Sequence, residues 1–300
     1  MSLTLANIAR NPTESIAPWA WRGLRLAWVQ FDGTAVTQYE LTTGKRYLAY
    51  FVLSSYRPVI RYGSEGALID LSAHYTTYLS FGQDDRFCPT DQISVVCRVL
   101  VLSEPAANRV VVGKRDLSST VDNNDWQIAR RTKNSYEFNF YNIDNVLFST
   151  VYKGERYIGG QLPRMATFVL TYDGSRLKGY GDGILFYDIP ASGQIRNTVG
   201  YEVRPSGGFW PFGPHKLLQI YDRALTDYEV KYLSARPYDF LRRRTVTPYW
   251  VLDEVPPGGT TPPSIHGIPQ RIPGFRFGTF VKRFGVGGGS RFGEIFKRRF

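Results

Sequence analysis

Basic residues and phenylalanines alternate along the end of the chain, where residues 271–300 read RIPGFRFGTFVKRFGVGGGSRFGEIFKRRF. Three Arg-Phe-Gly triplets begin at Arg276, Arg283 and Arg291. Guanidinium groups form paired hydrogen bonds with carboxylates and phosphates. Phenylalanine rings stack on exposed bases or fill apolar pockets of a protein partner. The end of the chain therefore has the chemistry of a binding segment, and its partner is nucleic acid, a membrane surface or another protein.

The net charge of the chain is concentrated in this same segment. From Gly258 to Phe300 there are eight basic residues and one acidic residue, so the segment carries +7 of the net charge of +11. Pro256 to Phe300 also contains ten glycines and six prolines, a composition that does not build a hydrophobic core. We therefore predict an extended arm. Its predicted anchors are phenylalanines and the triplet arginines: Phe275, Arg276, Phe277, Phe280, Arg283, Phe284, Arg291, Phe292, Phe296 and Phe300.

No catalytic or metal-binding arrangement is recognisable in the sequence. A retaining glycosidase needs two carboxylates about 5 Å apart, whereas the acidic runs here are consecutive residues in turn-like contexts and are predicted to be solvated. The histidines lack partners at zinc-ligand spacing, no Gly-x-Ser-x-Gly elbow is present, and the cysteines are predicted to be buried free thiols. The residues considered are Asp84-Asp85, Asp122 to Asp125, Asp253-Glu254, His74, His215, His266, Cys88 and Cys97. We predict no catalytic residue, metal ligand or cofactor, and a chain that is not an enzyme.

The rest of the chain is predicted to be all-β. Short runs of β-branched and aromatic residues alternate with turn formers such as Asn123-Asn124-Asp125, Asp173-Gly174 and Asp182-Gly183. This spacing is typical of an antiparallel β-sandwich. The predicted strands are Leu24–Phe31, Arg46–Val52, Tyr75–Phe81, Ile93–Leu102, Arg109–Val112, Trp126–Arg130, Tyr136–Tyr141, Val146–Tyr152, Thr167–Tyr172, Ile184–Tyr187 and Lys216–Tyr221.

One short helix is predicted from Asp227 to Ser234. Thr226 and Glu229 have the spacing of a capping box, in which each side chain binds a backbone N–H group of the other residue. A last strand is expected within Leu241 to Leu252, followed by the linker PPGGTTPP. The predicted organisation is an N-terminal arm over residues 1–18, a sandwich with its closing strand over 19–255, and the C-terminal arm over 256–300.

Two passages of the body resemble laminin-G-like, concanavalin A-like jelly-roll domains. Ala166 to Asp188 reads ATFVLTYDGSRLKGYGDGILFYD, similar to a central hairpin of that family. Lys216 to Leu233 reads KLLQIYDRALTDYEVKYL, similar to its closing strand and helix. The resemblance implies a jelly-roll sandwich. Some relatives bind calcium through loop carboxylates, but this chain shows no motif for a calcium site.

A narrower resemblance concerns SARPYDFLRRR, at Ser234 to Arg244. It is similar to the end of laminin-G-like domains encoded by tailed bacteriophages. This implies a virion structural protein, in the first place a capsid decoration protein, because no heptads or repeats are present to build a fibre stalk. Its expected partners are the major capsid protein or a tail protein, with further copies of the chain in the same assembly. The expected location is the virion.

Other functions remain open at this point. A tail-associated adhesin would bind host surface glycans, with Trp210 as an exposed platform flanked by Phe209 and Phe212; alternatively this loop is a buried cover for one end of the sandwich. A nucleic-acid-binding arm ranks third, because the body has little excess charge. A freely solvated tail would bind nothing. No signal peptide or membrane-spanning run is visible in the sequence, so no membrane partner is expected.

Overall fold

The strand-rich pattern of the sequence corresponds to two layers of antiparallel β-sheet. A computed structural model of the chain describes residues 13, 15–31, 37–50, 57–71, 78–102, 109–116, 124–132, 135–153, 162–205 and 213–242. The chain divides after Arg244, and every described residue lies in the first unit, Met1–Arg244. The C-terminal arm and all of the predicted closing strand after Arg242 lie outside the described residues.

Sixteen strands lie among the described residues. In chain order the first eight are β1 (Leu24–Val29), β2 (Thr37–Tyr39), β3 (Arg46–Tyr50), β4 (Val59–Gly63), β5 (Gly66–Asp70), β6 (Tyr78–Leu79), β7 (Ile93–Val101) and β8 (Arg109–Arg115). The others are β9 (Asn124–Thr132), β10 (Ser135–Tyr141), β11 (Leu147–Lys153), β12 (Arg164–Tyr172), β13 (Arg176–Gly181), β14 (Ile184–Pro190), β15 (Glu202–Pro205) and β16 (His215–Tyr221). The described part also contains one α-helix, α1 (Asp227–Ala235), and short 310 helices at Pro18–Trp21, Asp85–Phe87 and Asp239–Leu241.

The back layer is a sheet with the strand order β14-β13-β12-β7-β16-β5-β4, and β1 also pairs with β16. The front layer contains the sheet β11-β10-β9-β8-β15 and the small sheet β2-β3-β6. Two backbone hydrogen bonds join these front sheets: the Phe81 N–H group donates to the Val203 carbonyl at 2.9 Å, and the Val203 N–H group donates to the Gly82 carbonyl at 3.2 Å. The predicted antiparallel β-sandwich is confirmed.

The main hydrophobic core lies between the two layers. It includes Trp28, Phe81, Trp126, Phe138 and Phe168, all of them buried. Cys88 and Cys97 also lie in this core as free thiols, as predicted, and burial raises the pKa of Cys88 to about 11. The two layers are therefore held together by close apolar packing.

Contacts with neighbouring aromatic rings explain why glycine occupies positions 179 and 181 of β13. A Cβ atom at Gly179 would lie 2.6 Å from the Phe138 ring, and one at Gly181 would lie 2.1 Å from the Phe186 ring. Both glycines thus leave space for aromatic rings. At the β13–β14 turn Asp182 and Gly183 have φ values of 50° and 80°, the positive values that a tight hairpin turn requires.

Helix α1 packs on the outer face of the back layer. Val230 and Leu233 are buried there with Ala27, Val96 and Leu217 in a second apolar cluster. The predicted capping box is present: Glu229 N–H donates to Thr226 Oγ1 at 3.2 Å, and Thr226 N–H donates to Glu229 Oε2 at 2.9 Å. The helix begins at Asp227, as predicted, and ends one residue later than predicted, at Ala235.

We expect the substitution Thr226→Ala to lower the free energy of unfolding by about 1 kcal/mol, because it leaves a helix N–H group without its side-chain acceptor. Thr226→Ser keeps the hydroxyl group and should stay within a few tenths of a kcal/mol of the wild type. Urea unfolding of the three proteins measures this difference. Equal losses in both variants would show that the hydroxyl group does not cap the helix.

Each of the eleven strands predicted before the helix overlaps a strand of the structure, but β2, β4, β5, β13 and β15 were not among them. β2 has only three residues, and β4 is almost entirely exposed, so neither shows a clear alternation of apolar residues. The predicted turn at Asn123-Asn124-Asp125 is wrong for its last two residues, because Asn124 and Asp125 begin β9 and are buried. Asn and Asp are typical turn residues in a sequence, but here both side chains are buried in the sheet.

Candidate binding surfaces

None of the binding residues predicted from the sequence lies among the described residues. This applies to all ten arm anchors from Phe275 to Phe300 and to the aromatic platform Phe209, Trp210 and Phe212. The structure does describe the residues that precede each of these two segments. The platform follows Pro205, the last residue of β15, and the chain continues beyond Arg242 for the remaining 58 residues, which include the arm.

The end of the body at Arg242 is fixed by the N-terminal segment. Ile16 N–H donates to the Arg242 carbonyl at 2.8 Å, and Ser15 Oγ donates to the Asp239 carbonyl at 3.1 Å. Trp21 Nε1 donates to the Phe240 carbonyl at 2.7 Å. The residues just before the C-terminal segment therefore belong to the folded body, on the same side as α1.

A row of polar residues crosses the outer face of the front sheet. Cross-strand pairing aligns Arg204 with Gly113, Gly113 with Gln127, Gln127 with Asn139, and Asn139 with Ser149. Gln127 is 0% exposed and Asn139 1%, yet both amide atoms of Gln127 and the Asn139 Oδ1 atom lack a hydrogen-bond partner in the described part of the chain. Buried amides without partners are costly, so water or another polar group is needed to satisfy them.

One end of this polar row carries an aromatic contact. The Arg204 guanidinium lies 4.1 Å from the centre of the Tyr78 ring. Glu202 accepts hydrogen bonds from Arg204 Nη2 at 2.8 Å and from Ser80 Oγ at 2.5 Å. Polar groups beside an aromatic ring are suited to sugar hydroxyls as well as to protein groups.

A polar cleft of about 510 Å³ opens at the rim of the sandwich. Its charged groups are already paired: Arg25 with Asp222, and Arg86 with Asp84. Asp91 accepts a hydrogen bond from Gln194 Nε2 at 2.8 Å. The cleft is lined by Arg25, Asp85, Arg86, Pro89, Thr90, Asp91, Gln92 and Asp222. Because these carboxylates are paired or hydrogen-bonded, the cleft is lined by polar groups but presents no reactive group.

Asp125 is not the solvated carboxylate that the sequence predicted. Its side chain is 0% exposed and lies 3.1 Å from Lys114 Nζ and 2.9 Å from Arg196 Nε. It also accepts hydrogen bonds from Thr198 N–H at 2.8 Å and Thr198 Oγ1 at 2.7 Å. The carboxylate thus ties the loop before β15 to the front sheet.

Two further carboxylates beside basic groups, Glu65 and Glu229, have pKa values below their ordinary range. Burial alone would raise the pKa of Glu65, but hydrogen bonds from Arg98 and Tyr238 outweigh it and hold this pKa below its ordinary value. The same balance lowers the pKa of Glu229, where Arg223 is the main partner. A general acid needs a raised pKa. In the described residues these carboxylates therefore behave as structural ion pairs, and no group of three or more His, Cys, Asp and Glu residues there is arranged to hold a metal ion.

His215 connects the two layers. It is fully buried at the start of β16, and its Nε2–H group donates to the Val111 carbonyl of β8 at 2.8 Å. Burial is the main cause that lowers the pKa of His215 from 6.5 to about 4. The folded protein therefore holds this ring neutral at pH values at which the unfolded chain takes up a proton.

We expect His215 to make the protein less stable as the pH falls from 6.5 to 4. Because the pKa of His215 is lower in the folded protein, the unfolded chain takes up a proton first as the pH falls below 6.5. The free energy of unfolding is therefore highest above pH 6.5 and is about 3 kcal/mol lower at pH 4. His215→Gln removes this titration. The difference in unfolding free energy between wild type and variant should therefore shrink toward pH 4, and a constant difference would contradict the prediction.

Comparison with known proteins supports the fold. No protein-family model matches the chain, and no curated protein matches it. The structure is similar to the binding domain of Paraclostridial Mosquitocidal Protein 1, with a TM-score of 0.54, 12% identity, and coverage of 72% of this chain and 52% of that chain. The receptor binding domain of botulinum neurotoxin D has a TM-score of 0.49, 9% identity and coverages of 72% and 53%. Trypanosoma rangeli sialidase has a TM-score of 0.46, 13% identity and coverages of 72% and 33%.

At 12% identity, the likeness to the mosquitocidal binding domain shows the β-sandwich fold alone. The chain also spans only about half the length of the mosquitocidal binding domain. The fold implied by the laminin-G-like resemblance is thus supported, whereas the narrower resemblance to bacteriophage proteins remains a prediction. In the described residues no helix is long and apolar enough to cross a membrane.

Neither the polar row nor a second surface, formed by α1 and the residues before Arg242, was predicted from the sequence. The row cannot be recognised from one strand, because its members come from five strands and meet only through the sheet register. A signal for the second surface does exist in the sequence. Tyr228, Tyr232 and Arg236 are spaced at intervals of four residues, which places them on one face of a helix.

Proposed function

We propose that the chain is a non-enzymatic structural protein of a bacteriophage virion, a capsid decoration protein whose β-sandwich body is held on the particle by its C-terminal arm. The observation that carries this proposal is the division of charge and aromatic residues. The segment after Gly258 holds +7 of the net charge and seven of the nineteen phenylalanines. A segment that is too rich in glycine and proline to form its own core gains order by binding a partner.

The body supports the proposal through its internal neutralisation of charge. Asp125, Glu65 and Glu229 each lie in an ion pair with a basic residue of the same body. Most of the long-range attraction to an acidic partner is therefore assigned to the arm, which carries +7 of the net charge of +11. The proposed partners are the major capsid protein or a tail protein, together with further copies of this chain.

Electron microscopy of purified phage particles labelled with antibodies against the body tests this proposal. We expect label on the heads of the particles. Label confined to the tail would favour the adhesin. If an infected host expresses the protein but the particles purified from it carry no label, a virion role is overturned.

A second candidate, binding of host surface glycans, is favoured by the polar row beside Tyr78 and by the aromatic residues, Trp210 among them, that follow β15 in the sequence. The row is almost completely buried, so sugars would contact its margin beside Tyr78. A glycan array with the full chain, Trp210→Ala and a chelator control discriminates the candidates. Specific retention that is lost in Trp210→Ala would support the adhesin, and absence of retention would support the decoration protein.

A further inference from the structure

An aromatic–arginine patch lies on the body beside the point where the C-terminal segment begins. We define it by Trp19, Tyr228, Tyr232, Arg236 and Arg242. The Trp19 ring meets the Tyr232 ring edge-on at 5.5 Å, and the Tyr228 ring lies 6.4 Å from the same ring. The Arg236 guanidinium lies 5.7 Å from the Tyr232 ring. Tyr232 is therefore the centre of a continuous surface.

This surface reaches the end of the body through Asp239. Tyr232 OH donates to Asp239 Oδ2 at 2.8 Å, and Arg242 Nη1 donates to Asp239 Oδ1 at 3.1 Å. The next residue along the chain is Arg243, and residues 243–300 are the last 58 of the chain. A molecule bound to the arm is therefore tethered to the body through a chain segment that begins beside the patch.

The patch has the composition and exposure of a protein-binding surface. Tyr228 is 71% exposed, although it lies on a helix whose opposite side is buried. The side chains of Arg236 and Arg242 are 65% and 67% exposed. Tyrosine, tryptophan and arginine are the residues most enriched among the energetically important residues of interfaces. The surface is also rigid, because its centre is fixed by the contacts of Tyr232.

The net charge of the patch indicates what charge its partner carries. Arg236 and Arg242 share one carboxylate, that of Asp239, which is only 5% exposed. The acidic residues at the start of α1 are already paired, Asp227 with Lys178 and Glu229 with Arg223. The patch therefore presents excess positive charge. Repulsion disfavours the chain's own basic arm as its occupant, and an acidic protein surface complements it.

We infer that the aromatic–arginine patch docks onto an acidic surface of the same particle protein that binds the arm. This inference rests on the proposed function and adds a second point of contact to it. When two binding elements are joined, the second binds at a high effective concentration, so a weak patch contributes strongly. The patch would also fix the orientation of the body on the particle.

Site-specific photo-crosslinking tests this inference on the full-length protein. Benzoylphenylalanine is placed at Tyr228, at Phe277 in the arm or at Ile143, and each protein is bound to purified particles. Ile143 is the control because it is 56% exposed but lies at the β10–β11 turn of the front layer. We expect adducts with the same particle polypeptide from positions 228 and 277, and none from position 143.

The outcomes separate this inference from the function on which it rests. An adduct from position 277 without one from position 228 would overturn the docking surface and leave the arm as the anchor. Crosslinks from position 228 only to the same chain or to another copy would also overturn it. Absence of particle adducts from position 277 would contradict the proposed function itself.

A binding measurement provides the second test. The double variant Tyr228→Ala, Arg236→Ala should bind particles at least about tenfold more weakly than wild type, since it removes two contacts of the kind that dominate interfaces. Ile143→Ala should bind like the wild type. Equal apparent affinities of the double variant and the wild type would overturn the inference.

Discussion

Asp125→Asn is expected to lower the free energy of unfolding by about 3–5 kcal/mol, the cost of removing one partner from a buried ion pair. Asparagine has no charge to offset Lys114, whose side chain is 3% exposed, or Arg196. The amide also offers one acceptor oxygen where the carboxylate offers two, so the bonds from Thr198 compete for it. Chemical denaturation measures the loss.

Asp144→Asn is the matched control for this prediction. Asp144 lies in the exposed turn between β10 and β11, and its substitution should change the stability by less than about 0.5 kcal/mol. The double variant Lys114→Met, Asp125→Asn should be more stable than Asp125→Asn alone, because it keeps the amide acceptor and leaves no lysine charge unpaired. A loss below about 1 kcal/mol in Asp125→Asn would show that the network is not a structural link.

The strands of the core and the helix could be predicted from local patterns. β7 and β12 consist of runs of β-branched and aromatic residues, and α1 begins at a capping box. These signals depend on residues close together in the chain. β4 lacks such a signal, because it is an exposed edge strand whose place depends on pairing with β5.

Polar residues were harder to interpret than apolar ones. Asp125 has a turn-like sequence context, and its burial depends on Lys114 and on Arg196, which lies 71 residues away. The row through Gln127 and Asn139 depends on the register of five strands. Long-range partners of this kind leave no local pattern in the sequence. The two layers could therefore be predicted, whereas the polar networks of the front layer could not.

The triple variant Phe277→Ala, Phe284→Ala, Phe292→Ala is expected to release the protein from phage particles. A phenylalanine buried in a pocket contributes about 1.5–3 kcal/mol, so the loss of three anchors weakens binding by more than a hundredfold. Exposed ion pairs contribute about 0–1 kcal/mol each and are screened by salt. Arg276→Gln, Arg283→Gln, Arg291→Gln should therefore weaken binding less, and mainly at low ionic strength.

The most direct test of arm-mediated attachment is the fraction of protein that sediments with purified particles, measured for the wild type and for both triple variants over a range of salt concentrations. We expect the wild type to sediment with particles throughout this range, the arginine variant to be retained with a reduced apparent affinity, and the phenylalanine variant to stay in the supernatant. The reverse result, with the phenylalanine variant retained and the arginine variant lost, would contradict anchoring by apolar contacts and would favour an electrostatic arm of the kind that binds nucleic acid.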